Sequence, residues 1–212
     1  MREKCDMFDN KIIEKLKDLR VNKGAYALKA SFEDEGVTDS DLSDLVLLSG
    51  PADIKVYVKI GGCEANRDIE KCLRLGIKGI VAPMVESEFA VSKFVDSINQ
   101  RVTLFGIDRP KIFINIETIQ AAKASKNIFK EYHAHLDGIV VGRSDLSRSM
   151  GLGKKYVDDK RVMLEVTKVL ENAKSYGLRT KMGGTVSRSS ASHIIDLNSQ
   201  GLLDFFETRA VI

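Results

Sequence analysis

What constrains this chain most is a repeated switch in hydrophobic period. Short runs with strand character recur from Ala25 onward, and each is followed by a longer stretch in which apolar residues return at helical spacing. The strand candidates are 25–32 (AYALKASF), 54–60 (IKVYVKI), 79–84 (GIVAPM), 111–117 (KIFINIE), 137–142 (DGIVVG), 178–184 (LRTKMGG) and 203–212 (LDFFETRAVI). Between the fifth and sixth, Val162, Val166, Val169, Leu170 and Ala173 fall on one helical face behind Asp158–Asp159, acidic residues that suit a helix N-terminus. A helix over about residues 10–20, with Ile12, Ile13, Leu16 and Leu19 on its apolar side, precedes the first strand.

Regular β–α alternation implies a parallel sheet with right-handed crossovers, either open and doubly wound or closed into a barrel. No GxGxxG follows the first strand, and polar or charged residues sit at the C-terminal ends of several strands in turn: Glu33, Lys59, Glu117, Asp145 and Glu207. The expected fold is therefore an α/β parallel (β/α)8 TIM-type barrel over residues 25–212. Seven strands are counted, so one is missing, hidden near the N-terminus or supplied by a partner subunit. At 212 residues a single domain, 1–212, is expected.

Composition narrows the functional classes. The 33 basic and 30 acidic residues nearly cancel, which argues against a nucleic-acid partner. No run approaches the ~20 apolar residues of a membrane span, and the N-terminus shows no signal-like stretch, so a cytoplasmic protein is expected. Cys5, Cys63 and Cys72 lack CxxC spacing and read as reduced thiols. Cys63, after the Gly61–Gly62 turn, is a minor candidate for catalysis. His133, His135 and His193 read as structural.

Two carboxylates reach the ends of consecutive strands, Glu117 after KIFINI and Asp145 in the GRSD turn after DGIVV. Such a pair resists double ionisation unless a cation lies between the two groups, and its oxygen ligands suit Mg²⁺ or Mn²⁺. On spacing alone Glu117 is equally a cap for the next helix and Asp145 the start of a turn.

The segments GIVAPMVESEFAVSKFV (79–95), IETIQAAKASKNI (116–128) and LDGIVVGRSDLSRSMG (136–151) resemble, in that order, the HpcH/HpaI aldolase and citrate lyase β-subunit family of the phosphoenolpyruvate/pyruvate barrel superfamily. The resemblance implies a metal held by Glu117 and Asp145 and completed by the carboxylate and 2-oxo oxygens of a small-molecule substrate. It also implies that backbone amides of Gly142, Arg143 and Ser144 hold the substrate carboxylate, with Asn115 beside it. The implied activity is a metal-dependent carbon–carbon lyase or aldolase acting on a 2-oxo acid, in a homo-oligomer.

Two positions depart from the family pattern. Lys59 stands where relatives carry an arginine that clamps the enolate oxygen, keeping the charge without the bidentate fork. Gly36 stands where aldolases carry a proton-transferring histidine, leaving Glu33 or Glu35 as candidate bases. An acyl-thioester lyase of the citrate lyase type, a Schiff-base aldolase using Lys29, Lys59 or Lys181, and a non-catalytic ligand-binding barrel are the alternatives. The MGGTVS turn (182–187), with Arg188 and Arg209 as charge partners, is either a phosphate site or an ordinary glycine-rich turn.

Overall fold

The computed structural model describes residues 2–208. Helix α1 (Arg2–Asn22) is followed by β1 (Ala27–Ser31), α2 (Asp39–Ser49), β2 (Lys55–Lys59), α3 (Asn66–Arg74), β3 (Gly79–Ala82) and α4 (Glu88–Phe105). Then come β4 (Lys111–Ile116), α5 (Ile119–Tyr132), β5 (Gly138–Gly142), α6 (Arg143–Ser149), α7 (Lys160–Ser175), β6 (Arg179–Gly183), α8 (Ala191–Ser199) and β7 (Phe205–Phe206). This is the α/β architecture of the TIM type, with seven parallel strands among the described residues where a closed barrel has eight. No helix among the described residues is long and apolar enough to cross a membrane.

The chain divides into two compact units. The first comprises Met1–Gly61, Ala65–Val81 and Ile98–Lys111. Its strands β1, β2 and β3 pair in parallel, with Ser31 opposite Lys59 and Lys59 opposite Val81. In β2, Val56, Tyr57 and Val58 are all buried, the pattern of a strand covered on both faces. Helix α1 places Leu16 in a small cluster with Ala52 and Ile54, packed by Ile12, Leu19, Leu28 and Leu48. The apolar stripe expected at 10–20 is there, on a helix longer than its pattern. Helix α2 starts at a capping box in which Thr38 and Asp41 satisfy each other's backbone N–H groups.

The second unit comprises Gly62–Glu64, Ala82–Ser97 and Ile112–Ile212, and its strands β4 to β7 also pair in parallel in chain order. Strand β4 is buried from Ile112 onward. Helix α7 begins one residue after Asp159, whose side chain accepts from the Arg161 N–H, and buries Val162, Val166, Val169, Leu170 and Ala173 as its spacing requires. It packs on α5, where Asn172 donates to Ser125 at 3.0 Å, and on β5 and β6. The last strand is only Phe205–Phe206, shorter than the 203–212 expected, and residues 209–212 lie outside the described residues.

The registers of β4 to β7 sort their inward side chains into layers. Phe113 lies opposite Gly138, and Asn115 opposite Val140, which is itself opposite Lys181 and through it Phe205. Gly142 is opposite Gly183 in the topmost layer. Alternation along each strand puts Glu117, two residues beyond Asn115, and Glu207, two beyond Phe205, in that same layer.

Asp204 ties the start of β7 to β6. Its carboxylate accepts from the Thr180 N–H at 2.8 Å and from Lys174 at 2.6 and 2.7 Å. Burial pushes this carboxyl up, but the Lys174 and Thr180 bonds outweigh it, leaving the group below its ordinary value of 3.8. A depressed folded value gives stability that is present above about pH 4 and lost as pH falls through the lower folded value. Asp204→Asn should therefore lose about 1 kcal/mol near neutrality and converge with the wild type in acid, read from urea melts across pH. A constant gap between the two at every pH would refute the ionic account.

Candidate active site

The second unit brings Glu117, Asn115 and Gly142 together. Glu117 follows the last residue of β4 and is 5% exposed. Its Oε1 accepts from the Met84 N–H at 2.8 Å and its Oε2 from the Asn115 amide at 3.0 Å. The carboxylate lies over Gly142: a Cβ added there would stand 2.7 Å from Oε2 and 2.8 Å from the Glu117 Cβ. Only glycine at the end of β5 leaves this space. Met84 reaches its position with a left-handed backbone, φ 52°, a conformation that costs a non-glycine residue about 1 kcal/mol or more and concentrates at functional sites.

Glu117 does not cap α5. Thr118 does, its hydroxyl oxygen accepting from the Ala121 N–H while the hydroxyl donates to Glu86 at 2.6 Å. The carboxylate one residue earlier is thereby left pointing into the strand-end layer. Asn115 is 3% exposed and its Oδ1 has no hydrogen-bond partner among the described residues, an orphaned acceptor that costs about 1–3 kcal/mol unless something else donates to it.

Asp145 stands in the first turn of α6, half-exposed, with Arg148 at 3.8 Å. Ahead of it, the Arg143 and Ser144 N–H groups belong to the helix start, where backbone donors lack helical partners. Gly184, at φ +80°, crosses close to them: a Cβ there would be 2.4 Å from the Ser144 nitrogen and 2.7 Å from that of Arg143. The Ser144 hydroxyl meets that of Thr185 at 2.8 Å.

The Arg143 side chain faces inward and is fully buried. Its guanidinium donates to the carbonyls of Gly183 and Gly184, both at 3.2 Å, to Ser190 at 3.1 Å and to Asp158 at 2.5 Å. Any contact of Arg143 with a ligand is thus through its backbone. Desolvation lowers the Arg143 pKa against the pull of Asp158. Asp158 is raised by burial but brought below its usual value by Ser189, Ser190 and Arg143. The Arg143 fork holds the MGGT turn against the GRSD turn; Arg188 begins the short turn before α8, and Arg209 lies outside the described residues.

The oxygen-only donor set fits a hard divalent ion. Among the described residues no three His, Cys, Asp or Glu side chains cluster as a complete metal cage. An ion held by Glu117 and Asp145 would draw its other ligands from water and substrate, as Mg²⁺ commonly does.

The first unit holds the remaining sequence candidates. Lys59, at the end of β2, forms an ion pair with Asp34. Glu35 turns back to accept from the Ser31 N–H at 3.1 Å, while Glu33 packs over Gly61, its Oε1 2.9 Å from where a Cβ would be. Asp34, which spacing did not single out, is the acidic residue on the lysine. Gly36 adopts φ +60°, so the family's histidine position is a left-handed turn here.

Burial, with Glu64 adding to it, pushes the Cys63 thiol up, the opposite of an activated thiolate. Cys72 is pushed up to about 12 by desolvation. His133 and His135 form a short turn before β5, at the N-terminal side of that strand, and His133 Nδ1 lies 3.0 Å from the Phe129 carbonyl.

The model of a family described as HpcH/HpaI aldolase/citrate lyase matches residues 44–190. Among solved structures, citrate synthase SbnG is similar over 93% of this chain and 82% of its own, with TM-score 0.72 and 21% identity. An HpcH/HpaI aldolase/citrate lyase family protein from Burkholderia cenocepacia J2315 aligns over 92% of this chain and 82% of its own, with TM-score 0.74 and 14% identity. An HpcH/HpaI aldolase from Desulfitobacterium hafniense DCB-2 does so over 92% and 81%, with TM-score 0.73 and 16% identity. A search of the curated proteins finds no match by sequence.

Proposed function

The chain belongs to the HpcH/HpaI aldolase/citrate lyase family, and from that premise we propose that it is a divalent-metal-dependent carbon–carbon lyase acting on a 2-oxo acid. The observation that carries this reading is the buried Glu117 carboxylate, fixed over Gly142 by the Met84 and Asn115 donors beside an unsatisfied Asn115 oxygen. For side chains this deeply buried such an arrangement is costly unless a ligand completes it.

Glu117 and Asp145 hold Mg²⁺ or Mn²⁺, which when bound supplies a Lewis acid for the 2-oxo oxygen. The Met84 N–H and the Asn115 amide fix the Glu117 oxygens in place, so little reorganisation is needed during reaction. The Arg143 and Ser144 N–H groups at the start of α6 receive the substrate carboxylate, and a side chain at Gly184 would crowd them. Asn115 Oδ1 accepts from a substrate hydroxyl or a water. All of these residues belong to the second unit.

A second reading, cleavage of an acyl-thioester, is favoured by Gly36, because the citrate lyase branch works without the histidine that this position lacks. The protein should be incubated with 4-hydroxy-2-oxo acids and with acyl-thioesters, with Mg²⁺, Mn²⁺ or EDTA. Release of pyruvate from the oxo acids only with metal is expected. Cleavage confined to thioesters would select the second reading. EDTA-resistant turnover trapped by borohydride would replace both with a lysine mechanism, for which Lys181, buried with its Nζ 3.8 Å from the Phe113 ring centre, is then the residue to map.

A further inference from the structure

We propose that Glu207 is the proton-transferring residue of this site, an inference that rests on the metal-dependent reading above. Gly142 and Gly183 are register partners at the ends of β5 and β6, about 4.8 Å apart as neighbouring strands are. Glu117 lies over the first of them and Glu207 over the second, its Oε2 3.0 Å from where a Gly183 Cβ would be. The Glu207 N–H donates to the Met182 carbonyl at 2.9 Å, continuing the β6–β7 ladder by one residue and fixing the side chain's level in the top layer. Two carboxylates thus converge from opposite sides onto one floor of two glycines. Asn115, one layer below, donates to Glu117 and has a buried Oδ1 with no hydrogen-bond partner among the described residues. Glu117 has two fixed donors suited to a ligating carboxylate, while Glu207 is only partly buried, as a group that exchanges protons with solvent must be.

In the cleavage step assigned to it, Glu207 takes the proton of the C4 hydroxyl of a 4-hydroxy-2-oxo acid. The O–H pair forms the C4 carbonyl, the C3–C4 bond breaks, its electron pair forms the C2–C3 double bond, and the carbonyl pair moves to the 2-oxo oxygen as enolate. The protonated Glu207 then gives its proton to C3, restoring the carboxylate and releasing the 2-oxo acid product; the reverse of this last step on pyruvate removes a methyl proton. Among the described residues, Glu117 lies in the same layer and Lys181 one layer below.

Two quantities test this: Mn²⁺ affinity by titration, and exchange of the pyruvate methyl protons for deuterium. In Glu207→Gln, Mn²⁺ affinity should stay within about twofold of wild type while exchange falls about 100-fold or more. Glu207→Asp, which keeps the charge and retracts it, should fold as wild type and exchange about tenfold more slowly. Exchange by Glu207→Gln within about threefold of wild type would overturn the assignment. So would loss of Mn²⁺ binding in Glu207→Gln equal to that in Glu117→Gln, which makes Glu207 a metal ligand. A wild type that binds no Mn²⁺ overturns the metal reading itself and this assignment with it.

Discussion

Glu117→Gln is expected to lower turnover by about 1,000-fold or more and to weaken Mn²⁺ binding beyond detection at millimolar metal, with an unchanged far-ultraviolet circular dichroism spectrum. Glutamine matches the shape, so one oxygen still accepts from the Met84 N–H and no cavity opens over Gly142. What it loses is the charge that a divalent ion requires. The fold should survive because the start of α5 is secured by Thr118 and, from the Ile119 N–H, by the Ser149 hydroxyl at 2.8 Å. Asp145→Asn should behave the same way, since that side chain is half-exposed and carries little packing. Normal turnover in either variant would remove the metal pair from the account.

The largest effect on stability is expected at Arg143. Arg143→Met fills the same volume but strips Asp158, Ser190 and two carbonyls of their donor, and should cost about 3 kcal/mol in urea unfolding at neutral pH. The lower end of the range for broken buried pairs applies because Asp158 retains some solvent and the Ser189 and Ser190 hydroxyls. Arg143→Lys keeps the charge but cannot reach both carbonyls at once, and should lie between Met and wild type. Combining Arg143→Met with Asp158→Asn should recover part of the loss, because the uncompensated carboxylate is then gone. A Met variant as stable as wild type would show that the fork contributes nothing net.

The parts of this structure written locally in the sequence were legible there. Val162, Val166, Val169, Leu170 and Ala173 define a buried helix face through spacing alone, and the apolar runs at 55–59, 111–116 and 138–142 are strands within a residue or two of their patterns. Alternation left both an open sheet and a barrel, and the missing GxGxxG together with the charged strand ends favoured the barrel, with which the chain-order pairing agrees. Side-chain partners did not, because a periodicity gives the face of an element and says nothing of what meets it. Asp158 is 15 residues from Arg143 and the carbonyls that accept from it are 40 and 41 away, so spacing placed Arg143 in the GRSD turn but did not foresee the buried partners of its guanidinium. Among the three acids of FEDEG, only geometry distinguishes Asp34 on Lys59 from Glu35 on the Ser31 N–H. Glu117 and Thr118 are both competent to cap a helix, and the backbone decides for the threonine. The role of Gly142 is likewise visible only once the Glu117 carboxylate is seen to lie across it.

The central claim is that the Glu117 and Asp145 carboxylates serve a metal that stabilises an enolate. Exchange of pyruvate methyl protons in deuterium oxide, followed by proton magnetic resonance, reads that enolate directly without requiring the natural substrate. Exchange that appears with Mg²⁺ or Mn²⁺, stops on adding EDTA, returns with excess metal and is absent in Glu117→Gln is the expected result. Exchange that continues undiminished in EDTA, or in Glu117→Gln, would contradict it.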